Sequence, residues 1–162
     1  SYHLYRAIWN KLYKRTIFEK IKFTKHRCAE DLFVFPEIVN NCTTISCVDK
    51  ITYHYCQINS SITHTRNDEL NLDVLDAMLH YSRFLIDHSY VNSGYAQYTK
   101  CVKETLAVQN RERVSSLFDF YFTKEEQRRY TSKLDLKSKI IWYTIHNKAL
   151  FSILKMIRNN RK

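Results

Sequence analysis

A chain of 162 residues with one glycine (Gly94) and one proline (Pro36) has few ways to turn sharply. Sandwiches, barrels and doubly wound sheets need many tight turns, and tight turns draw on those two residues. The scarcity favours long helices with few connections, and the length suffices for a buried core. From about Asp68 the apolar residues agree: Leu70, Leu72, Val74, Leu75, Met78, Leu79, Phe84, Leu85 and Ile86 keep helical spacing as far as Asp87. A break at Ser93-Gly94 precedes a helix predicted over 95–113, with Tyr98, Val102, Leu106 and Val108 apolar. Lys124 to Tyr130 reads as a short charged helix entered through Thr123, with Glu126 completing a capping box. A last helix from about Asp135 aligns Leu136, Ile140, Tyr143, Leu150, Leu154 and Ile157 on one stripe and ends in Arg158, Arg161 and Lys162. That stripe reads as a core-packing face or, on a basic helix, as a membrane-surface face.

The first 65 residues have another character. Leu12-Tyr13, set between Lys11 and Lys14-Arg15, predicts a short half-buried strand ending in a basic turn. Thr16 would cap a short helix carrying Ile17, Phe18 and Ile21, and residues 23–27 form a basic loop. Asp31 then opens the apolar run Leu32 to Val39 as an N-cap or first-turn residue, with Pro36 expected to shorten or kink that helix. Thr43 to Val48 and Ile51 to Tyr55 read as two strands joined at Asp49-Lys50, a turn without the usual glycine. The expected fold is mainly α with a small β element (α+β).

The net charge of +10 is uneven: +7 over residues 1–27, −5 over 28–122 and +8 over 123–162. Two basic ends around an acidic middle suggest an anionic partner such as phosphate, nucleic acid or membrane surface, or simply a solvated basic surface. The five cysteines, Cys28, Cys42, Cys47, Cys56 and Cys101, contain no C-x-x-C pair, and no His pair follows at zinc-finger spacing. Reduced, mostly buried thiols in a cytoplasmic protein are the expectation. No signal peptide or membrane-spanning run is visible, and a first residue other than Met suggests a piece of something longer.

Trp9-Asn10-Lys11-Leu12-Tyr13-Lys14-Arg15, Thr16-Ile17-Phe18, Glu30-Asp31, Tyr53-His54-Tyr55 and Ser61-Ile62-Thr63, in that order and spacing, resemble the second half of bacterial family 2 glycosyltransferases. These are inverting GT-A enzymes that build capsules, lipopolysaccharide chains and related surface glycans. The resemblance covers roughly residues 2–65 and implies two regions. Residues 1–65 would be the acceptor and base side of a GT-A-like domain, and 66–162 a helical C-terminal region. It implies Asp31 as general base, removing the proton from the acceptor hydroxyl as that oxygen attacks a nucleotide-activated sugar. Glu30 would orient the acceptor or hold Asp31 ionised, and Ser61 and Gln57 would lie near the donor diphosphate. Lys11 and Arg15 read as surface charge or as phosphate and acceptor contacts. For Trp9 and Tyr13 the favoured reading is core packing.

Two departures limit the likeness. Family members carry an Arg after the aromatic pair, where this chain has Cys56. No Asp-x-Asp metal motif, early βαβ pattern or Gly-rich phosphate turn is present, and Asp73 and Asp76 stand at the wrong spacing in a helical stretch. The expected chain therefore holds no cofactor of its own and is inactive alone. A divalent metal, Mn or Mg, would belong to an N-terminal half not in hand. The implied partners are a nucleotide-sugar donor and a glycan or lipid-linked acceptor, with peripheral contact at the inner face of the plasma membrane. Self-association through a face left open by the missing half is also expected. Two rival readings are a basic helical nucleic-acid-binding module and a structural helical scaffold. Against the first, no Arg/Lys-rich recognition helix or RNA motif appears, so nucleic acid is not an expected partner.

Overall fold

The computed structural model describes residues 6–54, Cys56 and residues 67–159. The chain divides into two units, Ser1–Arg66 and Asn67–Lys162.

Among its described residues the first unit contains a short 3-10 turn at Arg15–Phe18 and one helix, α1 (Glu30–Asn40). Ile21, Val34 and Ile38 form its small core, with Ile8, Tyr13, Ile17, Phe18, Phe33 and Cys42 packed against them. Helix α1 continues for four residues beyond the buried Pro36, so the proline does not shorten it. No strand occurs among the described residues, which corrects the expected α+β fold: the described part of this chain is helical and not the sheet-bearing portion of a GT-A-like domain. The physical reason lies in residues 43–54. Their β-prone side chains need a neighbouring strand, because sheet stability comes from cross-strand pairs and ladder hydrogen bonds. Here the run forms no ladder among the described residues, with Ile45, Val48 and Ile51 exposed by 50%, 73% and 87%. Asp49-Lys50 does not adopt the positive φ of a two-residue hairpin turn. Leu12, placed in a half-buried strand by its neighbours, is wholly exposed.

The second unit packs six helices: α2 (Asp68–Asp87), α3 (Val91–Glu104), α4 (Arg111–Tyr121), α5 (Lys124–Ser132), α6 (Leu136–Ile145) and α7 (Lys148–Asn159). Side-chain caps define most of their starts. Asn67 accepts from the Leu70 N–H at 2.9 Å, Asn110 from Arg113 at 3.1 Å, Asp135 from Ser138 at 2.8 Å and Asn147 from Leu150 at 3.1 Å. Thr123 and Glu126 form the capping box that the sequence predicts. The core gathers Leu72, Leu75 and Leu79 of α2, Tyr98, Cys101 and Val102 of α3, Val114 and Phe118 of α4, and Ile141, Trp142 and Ile145 of α6. Tyr98 sits at its centre. Its ring lies 5.2–5.9 Å from those of Phe118, Phe122, Tyr130 and Trp142, mostly edge to face. The buried Arg111 guanidinium donates to the Thr105 and Val108 carbonyls and lies 3.8 Å from the centre of the Phe151 ring, tying α4 to the preceding turn and to α7.

Three boundaries differ from the sequence expectation. The break after α2 falls at His88–Tyr90, where Ser89 takes a positive φ of 68°, and not at Ser93-Gly94. The helix expected over 95–113 is two helices, interrupted by a 3-10 turn at Thr105–Ala107 and restarted by Asn110. The last helix is likewise two, divided at His146-Asn147, and its expected stripe faces outward: Leu136, Ile140, Tyr143, Leu150 and Ile157 are exposed. Core packing along that stripe is thereby excluded for all but the half-buried Leu154. The cysteine expectation is corrected as well. All five are free thiols, but only Cys101 is buried.

Gly94 lies inside α3 and supplies close approach in place of a turn. A Cβ there would stand 2.4 Å from Ile86 Cγ1 and 3.2 Å from the Ser82 carbonyl oxygen, and the Ser82 hydroxyl donates to the Gly94 carbonyl at 2.9 Å. Alanine gains about 1 kcal/mol of helix propensity, but overpacking costs about 1–3 kcal/mol. Gly94→Ala is therefore expected to lower the urea midpoint, and Ile86→Ala in the same chain to restore part of the loss. A Gly94→Ala chain more stable than wild type would contradict this packing.

Candidate functional site at the head of helix α1

Helix α1 begins where Ala29 takes a left-handed turn, φ 60°. Glu30 and Asp31 fill its first turn, where unpaired N–H groups and the helix dipole favour carboxylates. Asp31 Oδ1 accepts from the Leu32 N–H at 2.6 Å. Glu30 is exposed and Asp31 half-buried. These features alone describe a helix start.

Lys11 adds to them. Its ammonium donates to the Ala7 carbonyl and to Asn10 Oδ1, each at 2.6 Å, and lies 5.6 Å from the centre of the Phe35 ring. Partial burial lowers its pKa from the ordinary 10.5, and attraction to the Asp31 carboxylate offsets part of that shift. The ammonium is thus held by Ala7 and Asn10 and feels the Asp31 carboxylate only through its field. Two residues from Lys11, the Trp9 ring packs at 4.4 Å from that of Tyr53. Trp9 is 44% and Tyr53 49% exposed, so this aromatic pair is a surface feature. The core position expected of Trp9 is wrong, whereas Tyr13 does pack against the small core. The polar neighbours Asn10 and Lys11 were the available signal for Trp9.

The other site residues are not gathered here. Arg15 begins the exposed 3-10 turn with no ion-pair partner among the described residues. Gln57 and Ser61, with Tyr55, lie outside the described residues. Cys56 is an exposed thiol where the resemblance calls for Arg. Among the described residues no three His, Cys, Asp or Glu side chains converge to hold a metal ion, so the implied divalent metal has no donor set there.

No family model, curated protein or solved structure matches the chain. What the site can do therefore rests on its own side chains: a half-buried carboxylate, an ammonium held by Ala7 and Asn10, and an exposed aromatic pair.

Proposed function

We propose that this chain supplies the acceptor side of an inverting glycosyl transfer, with Asp31 as general base. The observation that carries the reading is the meeting of two aromatic rings far apart in sequence, Trp9 and Tyr53, in the same unit as the first-turn carboxylate of Asp31. Asp31 takes the proton of an acceptor hydroxyl as its oxygen bonds to the anomeric carbon, and the nucleoside diphosphate leaves from the opposite face with the bonding electron pair. The exposed rings of Trp9 and Tyr53 offer aromatic surface to the apolar face of a sugar ring. Fold does not fix chemistry, so a helical setting is no obstacle to this role. The reading requires a donor part with a divalent metal that the described residues do not supply. Transfer of labelled sugar by a polypeptide carrying both parts tests the reading, and transfer that survives Asp31→Asn sinks it.

Helix α7 favours a membrane-borne acceptor. Leu150, Ile153, Met156 and Ile157 are 41–62% exposed along one broad apolar face, within a segment whose bases outnumber its acids eleven to three. No helix among the described residues is long and apolar enough to cross a membrane, so contact through α7 would be at the surface. The chain is expected to co-sediment with vesicles of equimolar phosphatidylglycerol and phosphatidylcholine and to remain in solution with phosphatidylcholine alone. Equal binding to both removes the electrostatic part of the proposal.

A further inference from the structure

Between α5 and α6 the second unit opens a cleft of about 440 Å³. Lys124, Arg128, Lys139 and His146 line it together with Trp142 and Tyr143, and no carboxylate does. Lys124 is committed to Asp119 at 2.5 Å. Arg128 and Lys139 have no acidic partner among the described residues. Same-sign charges held around one concavity repel each other, and their combined field attracts an anion into it. The aromatic lining sets the shape of that anion. Trp142 is nearly buried and edge-packed against His146 at 6.3 Å, whereas Tyr143 is 63% exposed and leaves a ring face open. The volume suits one ring bearing one or two phosphates.

We propose that this cleft binds a small phosphate ester of a flat ring. Arg128 and Lys139 hold the phosphate oxygens and Tyr143 lies against the ring. Arginine matches phosphate bidentately, and lysine adds a point charge. The inference uses no residue of the first unit and stands whether or not Asp31 is a base.

Trp142 supplies the readout, since the only other tryptophan is Trp9, and Trp9→Phe isolates its fluorescence. Phenyl phosphate titrated into that chain is expected to change the Trp142 emission saturably with Kd at or below about 1 mM, more weakly at high salt. Arg128→Gln with Lys139→Gln is expected to weaken binding by about tenfold or more. Tyr143→Ala is expected to bring phenyl phosphate down to the affinity of inorganic phosphate. Lys20→Gln with Lys22→Gln removes the same charge from the first unit and is expected to leave Kd unchanged. Thermal unfolding of each variant keeps a folding defect apart from a binding defect. The proposal is overturned by the lack of a saturable change up to about 10 mM phenyl phosphate. It is equally overturned if the Lys20/Lys22 control weakens binding as much as the cleft variant does.

Discussion

Asp31→Asn is expected to lower kcat for sugar transfer by about 10²–10⁴-fold, the usual contribution of a positioned general base. Asn has the same volume, and its side-chain oxygen can still accept from the Leu32 N–H, so the start of α1 is preserved. Asp31 lies in the first turn and not at the N-cap, so losing its charge gives up about 0.3–1 kcal/mol of attraction to the helix dipole, a small effect beside the kinetic one. What is lost is basicity. Acceptor KM should stay near its wild-type value, because the proton moves only as the new bond forms. Glu30→Gln, at an exposed position, should cost far less. A role confined to starting the helix predicts the reverse: unchanged kcat, with any effect confined to the unfolding midpoint. Full transfer by the Asn variant would end the assignment.

The second large effect is alkaline unfolding. Burial pushes Cys101 well above its ordinary 9.0 and Tyr98 well above 10.0, with Thr131 offsetting part of the Tyr98 shift. Both groups are neutral in the fold, and the unfolded chain gives up their protons first. Their contribution to stability is whole below about pH 9 and is lost as pH rises towards the folded values, by about 1.4 kcal/mol per pH unit for each group once its unfolded form has ionised. Arg111 opposes this. Desolvation holds it at about 10 against an ordinary 12.5, so its destabilising effect fades between those two values. The losses outnumber the single gain, so stability falls as pH rises above 10. The half-buried Tyr121, raised by burial and by its hydrogen bond to Asp76, acts in the same direction. Urea midpoints measured from pH 8 to about 11 should therefore decline, and Tyr98→Phe should flatten the decline. A midpoint constant across that range would contradict the burial of the two groups.

Where local signals stood alone, sequence and structure agree. Helix α2 runs over the span that its apolar period marks, and α5 starts at its capping box. Helix ends were harder to read because the usual punctuation is missing. Ser89 takes the left-handed turn that glycine normally supplies, while the one glycine is spent on a tight contact. Asn110 and Asn147 restart helices inside stretches of unbroken helical propensity, and each restart rotates the apolar stripe. Hence Leu136, Ile140 and Tyr143 face outward although their spacing suits a core. At the candidate site, the first-turn placement of Asp31 was legible, since carboxylates belong there. The Lys11–Phe35 contact across 24 residues, and the Trp9–Tyr53 contact across 44, are tertiary facts that no local rule encodes. The two expected strands failed for the same reason in reverse: β propensity is realised only when another strand is present.

That unmatched run, Thr43 to His54, also bears on how the chain behaves in a crowded solution. Its peptide groups belong to no helix and no ladder among the described residues. Ile45, Val48 and Ile51 offer apolar side chains alongside, with neither glycine nor proline to interrupt the run. Paired with another strand, such a segment would realise its β propensity and gain backbone hydrogen bonds. A strand of the same polypeptide competes for it as a first-order event, whereas a second copy competes as a second-order one. Concentration thus decides which reaches it first, and dilution favours the intramolecular match.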